Sequence, residues 1–286
     1  MQVFNHINSI KTAIALLKAN KNKIGFVPTM GALHKGHLSL LAKARSENDI
    51  TVGSIFVNPV QFNQQEDFEK YPVQNDTDIA LLKQAGCDMV FMPSVNEMYP
   101  EPPTEKFYFG QLETVMEGAF RLGHFNGVAI VVKKLFEIIS PDSAYFGEKD
   151  FQQLQIVKQL VKQLELNIEI IACPIIREAD GLAMSSRNVR LTDHQRQIAP
   201  QIYNLLKTFA NQTERFSVGE IKSEFVKAMQ AIPEFKLDYF EIVDEENLQP
   251  ITHWAAAENP RAFVAVFMDN VRLIDNMKFF CSFAKS

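Results

Sequence analysis

Two histidines, His34 and His37, stand three residues apart in the run P-T-M-G-A-L-H-K-G-H at 28–37. Imidazoles donate or accept hydrogen bonds near neutral pH. A strand-like run (23–28) precedes them and a helix-like run (37–48) follows. A helix N-terminus presents unsatisfied N–H groups and the positive end of its dipole, which suits a phosphate. Gly36, between the rings, lets a nucleotide come close to the backbone. Gly31 and Gly36 also have the separation of a Walker A loop. However, His37 and Leu38 stand where that loop needs Lys and Ser or Thr, so a P-loop is excluded. By themselves the two rings also fit a plain surface pair or two metal ligands. No further Cys or His is arranged nearby to complete a zinc site.

Three more segments carry candidate chemistry. Y-F-G-E-K-D-F-Q-Q at 145–153 lies at a second strand-to-helix junction. Lys149 there is a point charge suited to phosphate. Asp150 fits equally the cap of the following helix. Gln153 falls one turn on, on the same face, and Gln152 and Gln153 read otherwise as helix surface. R-E-A-D-G-L-A-M-S-S-R-N at 177–188 is loop-like, and its two hydroxyls and Arg187 suit gripping and releasing phosphate; it reads equally as a linker between domains. V-N-P-V-Q-F-N at 57–63 follows another strand-like run, where Asn58 and Gln61 fit hydrogen bonds to a small polar substrate.

The elements that must position these segments alternate. Helical spacing runs over 7–19, 37–48, 76–86, 127–139 and 150–164, with Gly86 as a C-terminal cap; strand-like runs cover 23–28, 50–59, 87–93, 143–147 and 168–174. That order predicts a parallel sheet covered by helices on both faces, with its ligand beyond the carboxyl ends of the strands. After residue 176 the pattern changes. Two capping boxes, Thr192 with Gln195 and Ser217 with Glu220, open helical runs at 191–212 and 217–232. Strand-like runs at 237–244 and 261–269 follow, so the expected second domain is a small α+β one. The expected domains are 1–175 and 176–286.

Composition narrows the classes. The 286 residues are 47% hydrophobic and 22% charged, with a net charge of −5. That is the mix of a soluble globular chain of one or two domains. The acidic balance argues against a protein whose main task is holding a nucleic-acid backbone. Three distant cysteines, Cys87, Cys173 and Cys281, form no CxxC pair and read as buried thiols in a reducing cytoplasm. There is no h-region typical of a signal peptide, and no apolar run long enough to span a membrane. The expected setting is the cytoplasm, without a membrane partner.

The segments P-T-M-G-A-L-H-K-G-H-L-S-L, F-V-N-P-V-Q-F, A-Y-F-G-E-K-D-F-Q-Q-L, D-G-L-A-M-S-S-R-N and R-L-I-D-N (272–276), in this order, resemble the pantothenate synthetase (pantoate–β-alanine ligase) family. H-x-G-H alone would suggest only the wider nucleotidyl-transferase group. The resemblance implies a Rossmann-like α/β domain followed by a smaller α+β lid, a homodimer, and Mg²⁺ carried with ATP. It implies that ATP and pantoate give an enzyme-bound pantoyl adenylate and pyrophosphate. β-Alanine then attacks the acyl carbon, releasing pantothenate and AMP. On the matching positions, Met30, Gly31, Ala32, Leu33, His34, Lys35, Gly36 and His37 would line the ATP site. His34 and His37 would contact phosphates, and His37 would be the proton donor. Gly147, Glu148, Lys149 and Asp150 would form the second nucleotide stretch, with Lys149 catalytic beside the histidines. The Ile176 backbone would meet the adenine, and Met184, Ser185, Ser186 and Arg187 would bind ATP as the counterpart of the synthetases' mobile lysine-containing loop. Gln61, Gln153 and Asn58 would hold pantoate or β-alanine. Asp76 and Asp78 fall where the family places magnesium-associated acids, with Asp78 the candidate metal residue.

Two stretches depart from the family's usual pattern. Y-P-V-Q at 71–74 replaces Tyr-Pro-Arg-Thr, and N-V precedes Arg272 in place of Lys-Thr. Other readings are a different adenylyl or cytidylyl transferase, which would ignore β-alanine, and a regulator that binds ATP without releasing pyrophosphate. A truncated tRNA synthetase fits less well with an acidic chain that has no room for a tRNA-reading domain.

Overall fold

The computed structural model describes residues 1–63 and 65–279. Cys281 therefore lies outside the described residues. The chain divides into two compact units. The first comprises Met1–Phe109, Arg121–Glu148 and Gln152–Pro174; the second comprises Gly110–Phe120, Lys149–Phe151 and the chain from Ile175 on.

The first unit is built on six parallel strands: β1 (Gln2–Phe4), β2 (Ile24–Thr29), β3 (Ile50–Ile55), β4 (Met89–Phe91), β5 (Ser143–Gly147) and β6 (Glu169–Cys173). Their order across the sheet is β1-β4-β3-β2-β5-β6. The order reverses between β2 and β5, the position at which open α/β sheets bind ligands. Both faces of β2 and β3 are covered: Ile24, Phe26, Val27, Thr51, Val52 and Ser54 are all buried. Helices Ile7–Ala19, Lys35–Glu47, Asn75–Gln84, His124–Ile139 and Phe151–Gln163 supply the cover. Val128, Val131, Val132, Leu135, Phe136 and Ile139 do form one buried face. Their helix starts three residues earlier than its apolar pattern, at His124. Gly86 closes Asn75–Gln84 with φ +78°, Gly86 donating to Lys83 and Cys87 to Leu82, a Schellman turn. β1 is too short, at three residues, to leave a pattern in the sequence.

The second unit has an antiparallel sheet of β7 (Lys236–Asp244), β8 (Pro260–Met268) and β9 (Val271–Lys278) in the order β7-β8-β9. Both capping boxes form, on Asp193–Ile198 and Val218–Gln230. The run expected as one helix over 191–212 is two, because Pro200 lacks the N–H to continue the first and leads into Gln201–Ala210. Phe225 stacks on Phe240 at 3.7 Å between centroids, in a core with Ile202, Leu206, Ile242 and Val264. Gly110–Phe120 is tied into this unit by charge. Arg272 grips Glu117 through two N–H groups at 2.7 and 2.8 Å and Asp238 at 2.9 Å, and Tyr239 donates to Glu117 at 2.9 Å.

β9 went unread because Arg272, Asp275 and Asn276 interrupt its apolar alternation. Two of these, Asp275 and Asn276, are buried all the same. Among the described residues no helix is long and apolar enough to cross a membrane.

Candidate active site

The loop after β2 is held in three ways before it enters its helix. The Thr29 hydroxyl donates to the Ser54 carbonyl at 2.6 Å and accepts from the Gly31 amide at 3.2 Å. Asp78, 1% exposed, accepts from the Ala32 amide at 2.8 Å and the Leu33 amide at 2.7 Å, one on each oxygen. Gly31 has φ +83°, and a β-carbon there would meet an Asp78 oxygen at 2.9 Å, so a side chain would both strain the turn and push its anchor away. Each Asp78 oxygen thus holds one amide of the loop, so the carboxylate anchors the turn. Asp76, on the same helix, is exposed.

His34 and His37 then cap Lys35–Glu47 reciprocally. The His34 Nδ1 accepts from the Gly36 amide at 3.1 Å, and the His37 Nδ1 accepts from the His34 amide at 3.3 Å. The rings lie 4.1 Å apart between centroids. An imidazole whose Nδ1 accepts an N–H carries its proton on Nε2 when neutral. Both rings are therefore set as Nε2–H donors at a helix N-terminus, beside the point where the sheet reverses. Leu33 packs into the core beneath, and Lys35 is exposed.

The turn after β3 is organised around Asn58, which is fully buried. Its amide donates to the Gln61 Oε1 and to the Gly127 carbonyl, both at 3.1 Å. Its oxygen accepts from the Tyr99 hydroxyl at 3.0 Å. Burial pushes the Tyr99 phenol up, so it stays protonated and donates. Asn58 is thus hydrogen-bonded on both sides of its amide and orients Gln61. Gln61 directs its amide to the Met30 sulfur at 3.1 Å. Its carbonyl lies 2.8 Å from the His124 Nδ1, and the His124 Nε2 lies 3.1 Å from Arg121. The guanidinium can only donate, so the His124 Nδ1 is the donor to Gln61. Gly127 is required here, because a β-carbon would lie 2.4 Å from the Val60 carbonyl oxygen. Tyr99, His124 and Gly127 were missed as site-building residues. The run G-H-F-N-G at 123–127, opening an apolar helix, was the available signal.

β5 ends at Gly147, at the same edge of the sheet as Thr29, since Gly25 pairs with Ser143 in parallel. Glu148 follows in a 3-10 turn, and Gln153 is half-buried on the next helix. Gln152, read as helix surface, is instead 3% exposed.

In the second unit Lys149 is 18% exposed in its side chain, with its ammonium 3.6 Å from Asp150. The stretch 177–188, expected as a loop, closes into a hairpin-like turn. Arg177 bridges Ala183, Glu178 and Gly181 are cross-bonded, and the Met184 amide donates to the Ile176 carbonyl at 3.0 Å. Leu182, Ala183 and Met184 are buried, which is why the turn closes. Ser185 then accepts from the Arg187 amide at 3.3 Å and caps the 3-10 turn Ser186–Arg190. Ser185, Ser186 and Arg187 remain half-buried.

The family model for pantoate–β-alanine ligase matches residues 2–278. A pantothenate synthetase of Porphyromonas gingivalis is 48% identical over 279 residues, covering 98% of this chain and 99% of that protein. The pantothenate synthetase of Thermus thermophilus superposes with a TM-score of 0.92 at 42% identity, covering 98% of this chain and all of that one. The Francisella tularensis pantoate–β-alanine ligase, solved in complex with beta-gamma ATP and β-alanine, superposes at 0.82 with 38% identity and 97% coverage of each chain. A parallel sheet reversing at β2 and β5, a doubly capped H-x-G-H turn and matches over nearly the full length lead to one assignment: the chain belongs to the pantoate–β-alanine ligase family, ATP-dependent, AMP-forming carbon–nitrogen ligases.

Proposed function

We propose that this chain condenses (R)-pantoate with β-alanine through a pantoyl adenylate, with His34 and His37 serving as paired Nε2–H donors to the nucleotide phosphates. In the first step a pantoate carboxylate oxygen bonds to the α-phosphorus of ATP and pyrophosphate leaves. In the second, the neutral amine of β-alanine attacks the acyl carbon, AMP leaves, and the amine's extra proton goes to solvent.

The first step brings two anions together, so its barrier falls when donors and positive charge gather at the transferring phosphoryl group. His34, His37, Lys149, Ser185, Ser186 and Arg187 are the groups assigned to that task. Gln61 and Gln153 are assigned to pantoate. Gln61 suits this role because Asn58 fixes its side chain and His124 its carbonyl, so little rotational freedom is lost on binding. Gly147, Asp150 and the Ile176 backbone are assigned to the nucleoside. Mg²⁺ enters on the triphosphate. Because Asp78 is committed to the loop, the ion's ligands in this reading are chiefly phosphate oxygens and water. A homodimer, expected from the family, is part of the same reading.

The observation that carries the proposal is the reciprocal cap, which fixes the tautomer of both rings where an anion is best received. The test is pyrophosphate release from ATP. With pantoate alone a burst equal to the enzyme concentration is expected, turning into steady release when β-alanine is added. Release independent of pantoate, or none with both substrates, overturns the reading.

A further inference from the structure

The segment R-L-I-D-N at 272–276 has no part in the chemistry above, yet β9 buries two of its polar side chains, Asp275 and Asn276. The Asn276 amide donates to the Lys149 carbonyl at 3.0 Å, and its oxygen accepts from Arg261 at 2.5 Å. Asn276 is 1% exposed. Asp275, next to it, is 4% exposed and accepts one N–H from each terminal nitrogen of Arg177, at 2.6 and 2.9 Å. Burial pushes the Asp275 carboxyl up, and Arg177 and the Lys149 ammonium pull against that. Arg177 is the root of the turn that ends in Met184, Ser185, Ser186 and Arg187. It also donates to the Gly181 carbonyl at 3.1 Å and lies over the Tyr203 ring at 4.1 Å.

Two adjacent residues of one strand therefore hold the two segments of the second unit to which phosphate contacts are assigned. A buried ion pair is weak evidence for a stability role, since well-packed apolar groups often do as well. A buried amide aimed at a main-chain carbonyl of another segment fixes where that segment sits.

We propose that Asn276, supported by Asp275, is a positioning residue for adenylation. It sets the main chain at Lys149 while Asp275 sets the Ser185–Arg187 turn, so one strand keeps the Lys149 ammonium and the turn's donors in mutual register. This rests on the reading that Lys149 contacts the nucleotide phosphates. Misplacement of a reacting group by about 1 Å costs on the order of 10²-fold. Releasing one anchor of Lys149 should therefore lower pantoate-dependent pyrophosphate release by roughly 10- to 10²-fold.

The test is a double-mutant cycle on the full-length enzyme. Asn276→Asp keeps an oxygen for Arg261 and loses the donor to Lys149; Asn276→Ala, which adds no charge, is the second variant should the first fail to fold. Each is measured alone and with Lys149→Met, reading the KM for ATP, the adenylation rate and the KM for β-alanine. If Asn276 acts through Lys149, its substitution slows adenylation in the parent, leaves the KM for β-alanine in place, and adds nothing in the Lys149→Met background. Additive losses, or a parent-like adenylation rate in a folded Asn276 variant, overturn the inference. The reading beneath it fails separately, if Lys149→Met alone leaves adenylation unchanged.

Discussion

His34 and His37 each use Nδ1 to accept a backbone amide of the turn they share, at 3.1 and 3.3 Å, so the pair caps its own helix. Capping oxygens usually come from Ser, Thr, Asp or Asn. Imidazole serves here because accepting through Nδ1 places the proton of the neutral ring on Nε2. The motif is at once a helix start and a pair of oriented donors.

The two roles of His37 separate by substitution. Asparagine reproduces the position of Nδ1 but not the Nε2–H. His37→Asn is expected to keep the parent's unfolding midpoint and to slow adenylation by about 10²–10³-fold. His37→Ala is expected to lose, in addition, about 1 kcal/mol of stability with the cap. Thermal unfolding together with single-turnover pyrophosphate release measures both. Near-normal turnover in His37→Asn would remove the donor role.

Asp78→Asn puts an amide where a carboxylate now accepts two loop amides. One of those bonds is lost and an N–H is set against an N–H. A destabilisation of about 1–3 kcal/mol is expected, with reduced adenylation because the H-x-G-H turn loses its anchor. The dependence of the remaining activity on Mg²⁺ concentration should match the parent. A large rise in the Mg²⁺ requirement would make Asp78 a metal ligand after all.

Asn58→Ala leaves Gln61 without its orienting partner and the Tyr99 hydroxyl without its acceptor. Each buried unsatisfied group costs about 1–3 kcal/mol. Lower stability is therefore expected with a raised KM for pantoate, while the KM for ATP moves little. Steady-state kinetics with each substrate varied in turn will show whether the loss is confined to pantoate. An equal rise for ATP would mean that Asn58 acts on the site as a whole.

Burial pushes the thiols of Cys87 and Cys173 up to about 11. A raised thiol pKa lowers the thiolate fraction at any pH below it, to about 10⁻³ at pH 8, and the thiolate is the nucleophile. Neither residue should take up iodoacetamide at pH 8 in the folded protein. Both should after denaturation in guanidinium, with peptide mass spectrometry as the readout. Rapid labelling of either thiol in the native state would show that its surroundings open.

Much of this molecule was legible in the order of its residues. The alternation of apolar runs placed β2 to β6 and their helices, because a strand buried on both faces and an amphipathic helix differ in period. The capping boxes at Thr192 and Ser217 marked helix starts because capping is a local contact three residues long. The H-x-G-H turn, the 147–150 stretch and the 184–187 stretch were visible for the same reason: each is a short run beside a recognisable element.

What the order of residues could not decide was which polar groups are consumed inside the protein. Asp78 looked like an acid near a metal, yet its partners, Ala32 and Leu33, lie more than forty positions away in sequence. Asn58 looked like a substrate ligand, yet Tyr99 and Gly127 surround it. Asp275 and Asn276 hid a strand, because a charged residue signals exposure until its partner is known. Hydrogen bonds between distant segments leave no periodic trace, so only the tertiary structure separates a residue that holds the site from one left to do chemistry.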